Sequence, residues 1–142
     1  MRRSAADWLA AVEAGLWLVA ALILRRLLPF SALTAIASRR TRSPVSCAAR
    51  RAQRMQQVAW AVRAMAHRLP WSAACFDQAI AAQAMLRWRG VPSTMVFGAG
   101  WNCSRDLQAH VWVKVGSQAV VGGELAADFT AMASFPPTTL ER

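Results

Sequence analysis

The sequence WSAACFDQAIAAQAMLRWRG, residues 71–90, predicts the element around which the fold is organised. Pro70 and Ser72 suit a helix start, Gly90 suits the position after a helix end, and the interior is rich in good helix formers. Cys75 falls in the first turn, where the helix dipole and the free backbone N–H groups favour the reactive thiolate. The stretch therefore predicts a helix with a candidate nucleophile at its start.

The overall composition predicts about one domain with a basic surface. The chain has 142 residues, 56% of them hydrophobic, which is enough to fill a core. Lys and Arg exceed Asp and Glu, giving a formal charge of +10. This excess favours an acidic peptide, nucleic acid or an anionic membrane surface as a partner. Because no base-reading motif accompanies the arginines, we expect no nucleic-acid partner.

The cysteines point to a reducing compartment. Cys47, Cys75 and Cys103 form an odd and sparse set, unlike a disulfide framework. A cytoplasmic location is the simpler interpretation. No Cys-x-x-Cys or His-x-x-x-His motif occurs, so we expect no metal site, and nothing indicates a cofactor.

The apolar segment from Trp8 to Leu24 allows three interpretations. A membrane-spanning helix needs about 20 apolar residues, and Glu13 interrupts this shorter run. A secretory signal would end at Ala35-Ile36-Ala37, but two arginines lie between the run and that site. We favour the third interpretation, a buried helix of the domain that is stopped by Pro29. A second short helix is expected over residues 31–38.

The segment after a basic linker at residues 39–43 predicts a long amphipathic helix. Ser43-Pro44 suits a helix start. Apolar residues then recur at steps of three or four as one stripe: Val45, Ala48, Ala52, Met55, Val58, Val62, Met65 and Leu69. His67 lies beside the stripe at its end, where a surface or C-cap position is expected.

The periodicity changes to that of a sheet after Gly90. Residues 94–97 are β-rich, and residues 98–106 have the composition of a loop. Residues 110–115 alternate as a strand, followed by a turn and a returning strand at residues 119–121. The tail, with Phe129 and Phe135, is expected to be a short packed segment that frays after Pro136-Pro137. Helices followed by an antiparallel sheet predict an α+β fold.

Cys75 and His110 are the candidate catalytic residues. A thiol at a helix start and an imidazole at a strand start can meet across a helix–sheet cleft, and the imidazole can then take the thiol proton. Backbone N–H groups at the start of the Cys75 helix would stabilise an oxyanion. Trp71, Gln78 and Trp112 are candidate substrate-binding residues, although packing explains each of them as well. On this pattern alone, Cys75 also fits the role of an inert, buried thiol.

Several of these residues occur together in a known family. Pro70-Trp71, Cys75, Gln78-Ala79, Met85-Leu86, Gly90, the loop containing Gly98 and Ala109-His110-Val-Trp-Val resemble the lasso peptide biosynthesis B2 proteins. The resemblance runs from about residue 69 to residue 135. It implies a transglutaminase-like, papain-type core that bears a catalytic cysteine and histidine, here Cys75 and His110.

The resemblance also implies a third catalytic residue, usually an Asp on the strand after the histidine strand. That neighbourhood here reads Val120-Val-Gly-Gly-Glu124, with no Asp. Glu124 is the nearest carboxylate and Asp128 the next, and a backbone carbonyl would orient the imidazole as well. The identity of the third member therefore stays open at this point.

The family implies a leader peptidase, which cuts the leader from a ribosomally made precursor so that a partner cyclase can close the ring. The N-terminal part, residues 1–68, reads as helix rather than as the family's leader-recognition domain. We therefore expect residues 69–142 to form the peptidase core within one compact domain, and a separate recognition protein to be needed. The alternatives are a non-catalytic scaffold of the same fold and a small basic membrane-associated protein.

Overall fold

The fold is described by a computed structural model covering residues 2–39, 41, 43–71 and 73–136. Four helices come first: α1 (Ala5–Leu27), α2 (Phe30–Ala37), α3 (Ala48–Ala66) and α4 (Cys75–Trp88). Strands β1 (Thr94–Trp101), β2 (Leu107–Val115), β3 (Gln118–Val121) and β4 (Thr130–Phe135) follow, with a 3₁₀ helix (Gly123–Asp128) before β4. This is the predicted α+β fold.

The first two helices begin and end where the sequence indicates. A capping box starts α1, in which the Ser4 side chain accepts from the Asp7 N–H and the Asp7 carboxylate accepts from the Ser4 N–H. Pro29 then separates α1 from α2, because proline disfavours helical backbone in the residue before it. The short second helix is therefore confirmed, one residue earlier than predicted.

The start of α3 differs from the prediction. Ser43-Pro44 does not begin the helix, which starts at Ala48 with Cys47 as its N-cap. The Val45 N–H donates to the Gly90 carbonyl at 2.8 Å, so this segment is held against the end of α4 by a tertiary contact. Local helix-start signals cannot reveal such a contact. His67 is the C-cap residue of α3, as expected.

The sheet is antiparallel, with the order β3-β2-β1-β4. The predicted loop at residues 98–106 is partly wrong, because β1 continues through its glycines to Trp101 and pairs with β2 and β4. A Cβ on Gly98 would lie 2.7 Å from the Trp112 ring, so the missing side chain makes room for that ring. The tail also forms a true strand, β4, where only a packed segment was expected. Pro137 lies outside the described residues.

One hydrophobic core joins the helices to the sheet. Its fully buried members come from α1, α3, α4 and the strands, and include Leu18, Val62, Met85, Met95 and Val113. Helix α4 contacts both the sheet and the other long helices. It is therefore the central element of the domain, and it positions the residues discussed next.

Helix α1 is part of the domain, but the prediction of a buried helix is only half right. Its inner face is made of small residues that are fully buried, such as Ala14 and Ala21, and Gly15 lies against Met65 of α3. Two ion pairs tie it to α4: Glu13 with Arg89 at 2.6 Å and Arg25 with Asp77 at 2.9 Å. Apart from the buried Leu18, its large apolar residues are half-buried or exposed instead. By length and composition alone, α1 would suffice to cross a membrane.

Candidate active site

Cys75 is the first residue of α4, which confirms a cysteine in the first helical turn. Ala74 is the N-cap and provides no side-chain cap, while Ser72, the predicted helix-start residue, lies outside the described residues. The first N–H bonded within this helix is that of Gln78, which donates to the Ala74 carbonyl at 3.1 Å. The N–H groups before it, including that of Cys75, point toward the N-terminal end, where a developing negative charge is stabilised.

His110 lies on β2 opposite Gly98 of β1 and is only 8% exposed. Two aromatic rings pack near its imidazole. The Trp112 ring is stacked at a centroid distance of 5.9 Å, and the Phe129 ring is tilted at 5.1 Å. The imidazole is therefore confined by packing in one orientation.

A backbone carbonyl fixes the imidazole at its other end. The His110 Nε2 atom lies 2.7 Å from the Gly122 carbonyl oxygen. Because a carbonyl oxygen only accepts hydrogen bonds, Nε2 must carry the proton, and in the neutral ring Nδ1 is then the basic nitrogen. Gly122 adopts a φ of +78°, which suits glycine at this turn.

Cys75 and His110 meet at one cavity of about 390 Å³. Its wall also includes Gln78 of α4, Gly122 and both residues of an ion pair described below. Within the described part of the chain, no hydrogen bond joins the Cys75 sulfur to the imidazole. Such contacts are often long in the free enzyme and tighten when substrate binds. The cavity thus brings together a thiol at a helix start and an oriented imidazole.

Comparison with known proteins identifies the family. The family model described as the transglutaminase-like superfamily matches residues 16–134, about four fifths of the chain. The chain belongs to the transglutaminase-like superfamily. No curated protein and no solved structure shows significant similarity to it. The superfamily includes cysteine peptidases and transglutaminases, in keeping with a thiol and an imidazole at one cavity.

Of the groups that the sequence left open for orienting His110, the backbone carbonyl is the one that forms a hydrogen bond with the imidazole. Glu124 lines the cavity, but its carboxylate pairs with Arg63 of α3 at 2.6 Å. Asp128 is exposed at the end of the 3₁₀ helix and is not among the residues that line the cavity. The hydrogen bond to His110 Nε2 comes from the Gly122 carbonyl instead. In this member of the superfamily, a main-chain carbonyl therefore makes the hydrogen bond to the imidazole that the family resemblance implied for a carboxylate.

The three candidate substrate-binding residues have different positions. Gln78 lines the cavity, and its amide nitrogen donates to the Ala73 carbonyl at 3.0 Å, so it also fixes the chain just before Cys75. Trp112 stacks on His110 and is not part of the cavity wall. Trp71 is not part of the wall either, and its indole nitrogen is buried without a hydrogen-bond partner among the described residues. Neither tryptophan lines the cavity, in keeping with the packing roles that the sequence also allowed, and their contact with substrate stays a prediction.

Sequence reasoning missed several contributors to the site. The Gly122 carbonyl has no side-chain signature, although the Gly-Gly pair after β3 marked an irregular turn. Phe129 was read only as part of a packed tail, yet its ring lies beside His110. Arg63 of α3 and its C-cap residue His67 line the cavity, because the end of that helix packs beside the start of α4. Long-range packing of this kind leaves no pattern in the sequence.

A larger cavity of about 890 Å³ lies at the opposite end of α4 and is lined partly by Trp17, Arg39 and Arg87. Burial and the nearby Arg39 charge lower the pKa of Arg87 from its ordinary value. The described lining of this cavity contains neither a cysteine nor a histidine. The smaller cavity is therefore the candidate active site.

Proposed function

We propose that this chain is a cysteine peptidase that removes the leader from a ribosomally synthesised lasso precursor peptide before macrocyclisation. The observation that carries the proposal is the shared cavity of Cys75 and His110, with His110 Nε2 bonded to the Gly122 carbonyl at 2.7 Å. This geometry leaves Nδ1 as the base for the thiol. Membership of the transglutaminase-like superfamily supports the reaction class, and the resemblance of residues 69–135 to the B2 proteins supports the substrate.

The first half of the reaction forms a thioester. Nδ1 of His110 takes the Cys75 proton, and the thiolate attacks the scissile carbonyl carbon of the precursor. The oxyanion that forms is stabilised by N–H groups at the start of α4. The imidazolium then gives its proton to the leaving amine, the C–N bond breaks, and the leader stays on Cys75 as a thioester.

The second half of the reaction returns the free enzyme. Nδ1 accepts a proton from a water molecule, and the resulting hydroxide attacks the thioester carbonyl. The C–S bond breaks, the leader leaves as a carboxylic acid, and the proton returns to the Cys75 sulfur. No metal or cofactor takes part. The core peptide, with a new free amine, becomes available to a cyclase.

The proposal includes separate partners in the cytoplasm. The N-terminal helices pack into the same core as α4 and the sheet, so a separate leader-recognition protein would present the precursor. The +10 charge suits an acidic leader or partner surface. A pull-down of the chain with a lasso precursor and its recognition protein tests this part, and recovery of no recognition protein contradicts it.

The reactivity of Cys75 is the first experiment. We would measure iodoacetamide labelling of Cys75 near neutral pH in the wild type and in His110→Ala, and identify the labelled peptide by mass spectrometry because the exposed Cys47 and Cys103 also react. Fast labelling of Cys75 that is lost in His110→Ala supports the activated pair. Equally slow labelling in both proteins, with and without the recognition protein, would favour a non-catalytic scaffold.

Leader removal itself is tested by co-expression. The chain, a lasso precursor and its recognition protein are produced together, and the peptides are weighed by mass spectrometry. We expect a free leader acid and a leaderless core with the wild type, and intact precursor with Cys75→Ala. A leader joined to a lysine amine, formed with loss of the leaving amine, would instead indicate acyl transfer to an amine. An intact precursor with the wild type contradicts the proposed function.

A further inference from the structure

The inference concerns the exposed side of α1, where large apolar residues form a continuous surface. They recur at steps of three or four residues and are 38% to 75% exposed: Leu9, Val12, Leu16, Val19, Ile23 and Leu27. These six residues are named the outer face of α1. They extend over 19 residues, from Leu9 to Leu27, or about 27 Å of helix. Scattered exposed apolar residues are ordinary, but a contiguous stripe of this length indicates a surface that contacts something.

The distribution of side chains around α1 is the reverse of that in an ordinary surface helix. The side facing the domain consists mainly of Ala and Gly, which allow α3 and α4 to approach closely, and the side facing outward carries the Leu, Val and Ile residues. A surface helix normally directs its large apolar residues inward and its polar residues outward. We therefore expect the outer face of α1 to contact a second apolar surface.

The charges around α1 indicate which kind of surface this is. Both carboxylates of the helix are turned toward neighbouring helices: Asp7 toward Gln57 of α3, and Glu13 onto Arg89, the C-cap residue of α4. Arginines flank the outer face instead, with Arg2 exposed before the helix and Arg26 exposed in its last turn. An apolar stripe flanked by cations and without acidic residues complements an anionic lipid surface.

An aromatic residue at one end of the stripe fits the same partner. Trp8 is 47% exposed at the start of the outer face, and the guanidinium of Arg68 lies 5.4 Å from its ring centroid. Tryptophan and arginine pairs of this kind suit the boundary between lipid headgroups and acyl chains, because each has an apolar body and a polar end.

The contacts on the side of α1 that faces the domain indicate how this helix would lie relative to a bilayer. Glu13 and Arg25 are ion-paired to α4, so α1 would have to leave the domain, or take α4 with it, to span a bilayer. Burial of those charges in hydrocarbon is costly. A second copy of the chain is a poorer occupant than lipid, because each copy carries a charge of +10 and cationic flanks would meet at the shared face.

We propose that the outer face of α1 docks in the plane of an anionic lipid bilayer, holding the domain at the membrane surface without crossing it. The apolar side chains enter the boundary between headgroups and acyl chains, and the flanking arginines contact acidic headgroups. This docking does not depend on catalysis at Cys75, so either proposal can fail without the other.

The test is co-sedimentation of the full chain with vesicles of phosphatidylcholine alone or mixed with phosphatidylglycerol. We expect binding to the mixed vesicles and several-fold weaker binding to phosphatidylcholine alone. Leu16→Glu should lower the partition coefficient on the order of tenfold, because an exposed leucine side chain that would enter the lipid is replaced by a charge. The matched control is Leu107→Glu on β2, which changes an equally exposed leucine and should leave the partition coefficient unchanged.

Each alternative outcome overturns the proposal. Circular dichroism first establishes that both variants keep the helix content of the wild type. Absence of binding to either kind of vesicle, or equal binding by wild type and Leu16→Glu, shows that the outer face does not contact lipid. Sedimentation of the lipid-free wild type as a dimer that Leu16→Glu dissociates assigns the outer face to a second copy.

Discussion

The hydrogen bond from His110 Nε2 to the Gly122 carbonyl determines which single residues matter for the proposed chemistry. A carbonyl oxygen only accepts hydrogen bonds, so it selects the tautomer of the neutral imidazole that carries its proton on Nε2. It carries no full charge, however, and stabilises the imidazolium less than a carboxylate does. The flanking rings of Trp112 and Phe129 complete the confinement.

The first prediction at this scale separates the two carboxylates from the histidine. Glu124→Gln and Asp128→Asn should each change kcat for leader removal by less than about threefold, because neither carboxylate bonds to His110. His110→Ala should lower it by about a thousandfold or more, because the base is lost. Glu124→Gln also removes the ion pair with Arg63 and so alters the cavity wall. We expect this change to alter KM rather than kcat. A loss of kcat in Glu124→Gln comparable to that in His110→Ala would return the third role to Glu124.

The second prediction tests the carbonyl through its glycine. In Gly122→Ala the new Cβ would lie 2.7 Å from the Val111 carbonyl, and the φ of +78° adds about 1–2 kcal/mol of backbone strain. The carbonyl must shift, and we expect kcat to fall by about tenfold or more at a temperature where the variant is folded. Gly116→Ala is the matched control, because its φ is +59° and nothing lies within 4 Å of the new Cβ. Equal kcat values in the two variants would show that the carbonyl does not orient His110.

At the scale of elements, α4 is held by groups from both sides. Asp77 is fully buried in its first turn, two residues after Cys75, and pairs with Arg25 of α1. Arg89, at the other end of α4, pairs with Glu13, which also belongs to α1. Helix α1 therefore supports the element that carries the proposed nucleophile, and its effects should reach the site.

Arg25→Ala should destabilise the protein because it leaves the Asp77 carboxylate buried without its cation. Breaking a fully buried pair costs about 3–5 kcal/mol, and since the Arg25 side chain is 42% exposed we expect about 2 kcal/mol. The double variant Arg25→Ala with Asp77→Asn should recover part of this loss, because the buried group is then neutral. The free energy of unfolding in urea measures both. No recovery in the double variant would show that charge is not the cause.

The start of α1 should respond to acid. The Ser4 N–H donates to the Asp7 carboxylate and lowers its pKa from the ordinary value of 3.8. A carboxyl whose pKa is lowered in the folded state stabilises that state above its unfolded pKa, and the stabilisation is lost as the pH falls through the folded pKa. Asp7→Asn should therefore flatten the melting temperature against pH below about pH 4. An unchanged acid slope would contradict this, and Asp106→Asn serves as the exposed control.

Elements with a strong local pattern were predicted well, and elements fixed by tertiary contacts were not. The helix that begins near Cys75 and the strand from His110 follow from periodicity and composition. The predicted start of α3 was wrong because the Val45 N–H donates to the carbonyl of Gly90, which lies far along the chain. The same reason applies to the Gly122 carbonyl, since which main-chain group meets a side chain depends on packing that composition does not encode.

At the scale of the whole molecule, the residues that bear the chemistry and the residues that support it share one core. Leu18 of α1, Val58 of α3 and Val113 of β2 are all fully buried in the same hydrophobic cluster. The family match likewise extends from residue 16 to residue 134, across the boundary between the helical part and the proposed peptidase core. The helices before residue 69 therefore supply part of the apolar surface on which α4 and the sheet depend.

The last prediction follows from this shared core: residues 69–142 alone should not fold cooperatively. Without α1 and α3, the side of α4 that packs against these helices would be exposed, and the Asp77 carboxylate would lose its ion pair with Arg25. In the full chain, Leu18→Ala should lower the free energy of unfolding by about 2–5 kcal/mol and shift the helix and sheet signals together. The exposed Leu16→Ala in the same helix should stay within about 0.5 kcal/mol in the absence of lipid. Circular dichroism and tryptophan fluorescence during urea unfolding report the two signals. A sharp transition of the fragment, or separate transitions in Leu18→Ala, would show that the peptidase core is an independent unit.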